Sequence, residues 1–331
     1  MGKTVLILGG GTGGVVAANV LRKTLGREHR VVLVDRKENH EFYSPIPFLL
    51  VNQRRPQQLT RKLSRLARKG IDFWQAEVRS VNPARSQVET DRGTINYDYL
   101  IISLGAEHRP ENLPGFQEGA YNVYSLSGAS RLSRRLQQFS GSRIVIFISS
   151  IPFVCPSATY EIAFLLDEYL RKKGLRHRTE LSLITPERSP EPLAGPLVGA
   201  RLRRDMARRY IKLTTEAKVL SLENGRLKLD QGEVEGDLFI GVPPHRGPSA
   251  LGSSGLTGEG GWIEVDPHTL ATRAENIFAV GDATAIRLPV MQTWAPKSGI
   301  FAHYQAEVAA RNIALLLSGK KPHHRFTGKG L

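Results

Sequence analysis

The chain has a single cysteine, Cys155, among 331 residues. No disulfide can close within it, so a disulfide-stapled fold is excluded. No run of about 18 apolar residues occurs, which excludes an ordinary membrane-spanning helix. Tandem repeats and low-complexity tracts are absent too. An apolar strand begins at Lys3, leaving no room for a leader, so no signal peptide is expected. His40, His303, His323 and His324 follow no metal-ligand spacing, and no metal is expected. Acidic side chains are scarce: 31 Asp and Glu face 46 Lys and Arg, for a formal charge of +15.

That charge attracts anionic surfaces, with lipid headgroups and nucleic acid as the two candidate classes. Any one basic cluster is more simply a solvated helix face. No nucleic-acid recognition motif accompanies the charge, so nucleic acid is not an expected partner. With 40% hydrophobic residues, the chain can bury two cores, and its length predicts about two domains.

The first fifteen residues organise what is there. Lys3 to Leu8 is an apolar strand, Gly9 to Gly14 a glycine-rich turn, and Val15 to Lys23 a helix. Gly9, Gly11 and Gly14 fit G-x-G-x-x-G: a tight turn, a close approach to pyrophosphate, and close helix–strand packing. The helix N-terminus offers unpaired N–H groups and the positive end of its dipole to phosphate. A second strand, Arg30 to Val34, ends in Asp35, about where a ribose-binding acid stands in such units.

Further along, Arg36 to Pro47 reads as a proline-pinned loop and Leu59 to Lys69 as a basic amphipathic helix. Ile71 to Val78 reads as a third parallel strand, and Asp98 to Ala106 as a buried strand ending at Gly105. A second strand-to-helix unit follows: strand Ser142 to Ser150, then helix Ser157 to Lys173. Its turn, Ser149 to Pro156, contains no glycine. Bulky Ile151 and Phe153 stand where backbone would have to approach a pyrophosphate, so the usual NAD(P) mode is not expected there. Leu197 to Tyr210 is a very basic helix, and Asn224-Gly225 marks a hairpin. Asn276 to Thr284 is a buried strand carrying Gly281-Asp282, and Ser298 to Leu317 is a long helix.

Three segments together resemble the tripartite FAD signature of flavoproteins with two dinucleotide-binding domains: the N-terminal fingerprint, Tyr97 to Ala106, and Asn276 to Asp282. Within that superfamily, Cys155-Pro-Ser-Ala-Thr-Tyr160-Glu161 and Pro296-Lys297-Ser298-Gly299 resemble sulfide:quinone oxidoreductases and the flavin subunit of flavocytochrome c sulfide dehydrogenase. The sister type II NADH dehydrogenases carry a second glycine fingerprint where this chain has Ser149 to Cys155. The resemblance implies an α/β fold of two Rossmann-like domains, the second inserted into the first: 1–106 and 246–331 for FAD, 107–245 for the second.

It implies FAD contacts from Gly9, Gly11, Thr12, Gly14, Asp35, Arg36, Pro45, Val78, Gly105, Ala106, Gly281, Asp282 and Lys297. It implies Cys155 near the flavin as sulfur acceptor, where a helix N-terminus favours a thiolate. Glu161 is the candidate proton acceptor, with a plain surface carboxylate as the even alternative. Lys297 is expected near the flavin N1–C2=O edge or a quinone oxygen, and Trp294 either lines a quinone pocket or simply packs. Sulfide and a membrane quinone are the expected substrates. An NADH:quinone oxidoreductase, or a non-catalytic FAD electron-transfer subunit, is the alternative.

Family members use at least two redox cysteines, and this chain has one. The pattern places a partner cysteine, and amphipathic membrane-binding helices, just after Leu331. Either the chain is a piece of a longer enzyme, the favoured expectation, or it is a short member with different chemistry. Localisation is then peripheral membrane, or cytoplasmic without that segment. The sequence leaves homo-oligomerisation and covalent attachment of FAD open.

Overall fold

The computed structural model describes residues 2–288 and 293–328. Contacts divide the chain into two compact units: residues 1–41, 60–107 and 246–331, and residues 42–59 with 108–245.

The first unit is built on a parallel sheet. Its strand Thr4–Leu8 lies between Arg30–Asp35 and Tyr99–Ile102; Asp72–Gln75 and Ile277–Ala279 form the edges. The central strands are apolar on both faces, as a sheet covered on both sides requires, and Val5 to Leu8 have no exposed surface. Helices Thr12–Thr24 and Gly299–Leu317 pack together on one side. Their alanines at 17, 18, 306, 309 and 310 are fully buried, which lets the two backbones approach. On the other face, Val81, Val88 and Ile95 bring a three-stranded antiparallel meander onto the sheet. Asp98 fastens the sheet's start, accepting from Thr4 N and Lys3 Nζ at 2.8 Å each.

The second unit repeats the plan. Its parallel sheet runs Ala120–Asn122, Leu238–Val242, Arg143–Ile148, Glu180–Ile184, Ile211–Thr214. Helices Leu126–Gln137 and Pro156–Lys172 bury Leu132, Leu136, Ala163, Leu166 and Leu170 against it. An antiparallel three-stranded sheet follows, turned at Asn224-Gly225 by two left-handed residues. The fold is the α/β arrangement of Rossmann-like units that the resemblance implies.

Three local expectations change. Leu59 to Lys69 is not an α-helix: Thr60–Lys62 pairs as a strand with Asn39–Glu41, and Leu63–Lys69 is a 3-10 segment closed by left-handed Gly70. Only Leu63 and Leu66 of that segment are buried. The run Ile71 to Val78 breaks at Ala76, because its second half joins the meander rather than the parallel sheet. Segment 42–59 belongs with the second unit, not the first. Its short helix Ile46–Leu50 buries Ile46, Leu49 and Leu50 in the same core as Leu132 and Leu136.

Candidate functional site

In the first unit, the Gly9 to Gly14 turn has the shape a pyrophosphate site demands. Gly9 has φ +102°, and a Cβ there would sit 2.2 Å from the Ser103 carbonyl oxygen. A Cβ on Gly14 would lie 1.8 Å from the Gly9 carbonyl oxygen. Neither position admits a side chain. Gly11 caps the helix without a side-chain hydrogen bond, and no acid stands in its first turn. The first-turn N–H groups, from Thr12 onward, are therefore not capped by a side chain and favour an anion.

Asp35, at the end of its strand, accepts from Gly10 N at 2.5 Å and from Lys37 N at 2.7 Å. This fixes its carboxylate beside the glycine turn. His40, passed over in the sequence, makes a 2.8 Å hydrogen bond from Nδ1 to the Gly10 carbonyl. Arg36 is exposed and paired with Glu77 at 3.2 Å. Val78 opens the meander and packs in its core. Gly105 is left-handed at φ +73° and Ala106 follows it half-buried. Pro45 caps the Ile46–Leu50 helix and so lies in the second unit.

Gly281 and Asp282 form a 3-10 turn directly after the strand Ile277–Ala279. Gly281 N donates to buried Gln305 Oε1 at 2.7 Å. Lys297, 7% exposed, donates from Nζ to the backbone carbonyls of Asp282 and Thr284, both at 2.9 Å. The ammonium lies 3.7 Å from the centre of the Trp262 ring, a cation–π contact. Burial pushes Lys297 down to about 8, with the Asp282 charge opposing. Burial raises the Asp282 carboxyl, with Lys297 opposing. Asp282 Oδ1 is buried and has no hydrogen-bond partner among the described residues.

An orphaned buried acceptor beside a glycine calls for a donor from outside the chain, and a ribityl hydroxyl is one. With the glycine cradle and Asp35, the residues fit FAD. Arg287 stacks on Trp294 with its guanidinium 5.3 Å from the ring, so Trp294 has a packing partner.

In the second unit, Cys155 is half-buried at the N-cap of helix Pro156–Lys172, in a left-handed conformation (φ 48°, ψ 69°). A non-glycine residue held there is strained, and such residues cluster at functional positions. The helix brings no acid in its first turn. Phe153 is buried and Ile151 is 54% exposed, so no glycine cradle forms. Tyr124 donates to the Cys155 carbonyl at 2.9 Å and bonds Thr159 Oγ1 at 3.1 Å. Glu161 is exposed, and about 600° of helical rotation from Cys155 puts the two on different faces.

Sequence reasoning missed a buried group near this helix start. Tyr160 and Thr185 donate to Glu187 Oε2, at 2.5 and 3.1 Å. Burial raises the Glu187 carboxyl, opposed by those two bonds. Glu191, left-handed at φ 49°, is pushed to about 7 by burial and then by the Glu187 charge, and its Oε1 has no partner among the described residues. Burial raises Tyr124, and the Cys155, Glu191 and Glu187 charges add to it. No spacing pattern marks Glu187 and Glu191; only the fold gathers them.

The model of the pyridine nucleotide-disulphide oxidoreductase family matches residues 3–306. The chain belongs to that family. It is an oxidoreductase, and its family and relatives are FAD-binding flavoproteins. Mitochondrial sulfide:quinone oxidoreductase of Mus musculus is 28% identical over 98% of this chain and 73% of its own. Sulfide-quinone reductase of Aquifex aeolicus is 28% identical over 95% of this chain and 76% of its own. Type II NADH:quinone oxidoreductase of Staphylococcus saprophyticus is 22% identical over 98% and 85%. Among solved structures, Aquifex aeolicus sulfide:quinone oxidoreductase superposes with a TM-score of 0.87 at 24% identity, covering 96% of this chain and 77% of that one. No described helix is long and apolar enough to cross a membrane.

Proposed function

We propose that the chain oxidises sulfide and passes the electrons to a quinone. The observation that carries this reading is Cys155. A half-buried thiol opens the helix of the second unit, where an NAD-binding unit would hold its glycine turn. FAD, when bound, supplies two-electron redox chemistry between the donor and the quinone.

The chain's own residues divide the work. Gly9, Gly11 and Gly14 let backbone reach the pyrophosphate, and Thr12 opens the helix that faces it. Asp35 takes the adenosine ribose, and Asp282 Oδ1 takes a ribityl hydroxyl. Gly105 and Ala106 follow the strand Tyr99–Ile102 that pairs with Thr4–Leu8. Lys297 acts at one remove: its ammonium already serves two carbonyls and an indole. It is a positioning residue that holds the 281–284 turn, rather than a group in contact with substrate. Cys155 presents its sulfur, at a helix end that accommodates negative charge, as the acceptor of sulfide sulfur; the S–S bond forms with loss of two electrons, which FAD, when bound, would take up. The proton of hydrosulfide goes to a carboxylate. Glu161 is exposed, so the half-buried Glu191, whose Oε1 has no partner among the described residues, is the better placed of the two by environment.

The test is anaerobic reduction of the FAD-loaded chain by sulfide, with and without Cys155→Ser. Loss of reduction in the variant supports the reading. Reduction by NADH, unchanged in the variant, would replace it with the NADH:quinone reading.

A further inference from the structure

Tyr124 stands, buried, in the turn between the strand Ala120–Asn122 and the helix Leu126–Gln137. Its N–H donates to Asn122 Oδ1 at 2.9 Å, and the His108 and His245 rings meet the phenol edge-on, with centroids 6.4 and 6.1 Å away. The ring is thus held from its flanks, and its hydroxyl reaches the start of the helix Pro156–Lys172. A carbonyl only accepts, so the phenolic proton goes to the Cys155 oxygen at 2.9 Å. Thr159, with no exposed surface, then donates its own hydroxyl proton to the phenol oxygen at 3.1 Å. Ala158 N reaches the same Cys155 carbonyl at 3.1 Å. That carbonyl belongs to a residue whose backbone has two reasons to relax. Cys155 is a non-glycine in the left-handed conformation, φ 48°, and the proline after it favours extended backbone instead.

We propose that Tyr124 is a positioning residue for Cys155: the hydroxyl chain from Thr159 through Tyr124 fixes the Cys155 carbonyl, and with it the left-handed turn that keeps the thiol at the helix N-terminus. A thiolate at that end is favoured by the helix dipole and the first-turn N–H groups. Without the phenol's bond the Cys155 peptide is freer to swing to extended backbone, which carries the sulfur away from that end. The ionisable groups around the phenol are His108 and His245 and, through their charges, Cys155, Glu191 and Glu187. Tyr160 and Glu161 lie on the helix that Cys155 opens. Tyr124→Phe leaves all of these in place, so a changed thiol reports the lost bond. The assignment rests on the proposed role of Cys155, and alkylation reads the thiol without sulfide or turnover.

The experiment is the rate of iodoacetamide alkylation of the FAD-loaded chain, followed against pH. Cys155 is the only cysteine, so every alkylated sulfur is that one. Tyr124→Phe is expected to shift the profile to higher pH and to react about fivefold more slowly at pH 7, the worth of one hydrogen bond. Thr159→Val, which keeps the shape and removes the donor to the phenol, shifts the profile the same way by less. Thr159→Ser, which keeps the hydroxyl, retains the wild-type profile. Equal melting temperatures show that the variants fold. A profile in folded Tyr124→Phe that stays in place, or moves to lower pH, overturns the proposal. Where that variant does not fold, an unshifted profile in Thr159→Val overturns it. If the profiles shift as expected while sulfide fails to reduce the wild-type flavin, the sulfide reading falls and the positioning role of Tyr124 stands.

Discussion

Lys297 donates to the backbone carbonyl of Asp282, and Asp282 Oδ1 stays buried without a partner among the described residues. A cation that neutralises the site is thus spent on shaping the turn, and the acceptor remains for a ligand. Lys297→Met would strand two carbonyls and a buried carboxyl. We expect a loss of roughly 2–4 kcal/mol in stability and FAD affinity about tenfold weaker, read by thermal unfolding and by titration of flavin fluorescence.

The same pair predicts a pH slope. Lys297 titrates at about 8 in the fold against an ordinary 10.5. Between those values the unfolded chain holds more protons, so stability rises with pH. Denaturant unfolding from pH 8 to 10.5 should show that rise in the wild type and a flatter profile in Lys297→Met.

Gly14→Ala sets a Cβ against the Gly9 carbonyl oxygen at 1.8 Å. Helix and strand must separate, at roughly 3 kcal/mol or more, and the chain is expected to purify without bound flavin. Yellow protein of normal melting temperature would contradict this.

Glu191 is raised to about 7 from an ordinary 4.5. Between these values the folded chain holds more protons, so this group makes the fold more stable as pH falls toward 4.5. Glu191→Gln should remove that slope and raise stability at pH 8 by roughly 1–2 kcal/mol, the figure reduced because the residue is only half-buried. Unfolding at pH 5 and pH 8 measures it.

Asp167 is fully buried and accepts from Arg171 at 3.0 Å, Arg176 at 2.6 Å and Arg209 at 3.0 Å. Burial would raise its carboxyl, but the three arginines outweigh that and hold it below the usual range. Asp167→Asn leaves the cations unmatched and should cost roughly 3–5 kcal/mol, seen as a shifted urea midpoint.

Much of this was legible in the residues. Gly9, Gly11, Gly14 and Asp35 announce their unit because backbone shape and charge are local and periodic. Asn224-Gly225 announces its hairpin for the same reason. The 63–69 segment was misread because its basic, leucine-spaced pattern mimics an amphipathic helix, while Gly70 and the pairing of Thr60–Lys62 with Asn39–Glu41 set its actual course. Segment 42–59 was misassigned because chain order hides that Leu49 and Leu50 share a core with Leu132. Lys297 showed its motif but not its acceptors. Tyr124, Glu187 and Glu191 had no sequence signal, since residues far apart in the chain meet only after folding.

Under the proposed function, Cys155 is what makes this family member react with sulfide. Anaerobic stopped-flow absorbance, mixing the FAD-loaded protein in parallel with sulfide and with NADH, tests it most directly. The account predicts flavin bleaching by sulfide, its loss in Cys155→Ser, and no rapid bleaching by NADH. Bleaching by NADH alone, or sulfide bleaching that Cys155→Ser leaves intact, would contradict it.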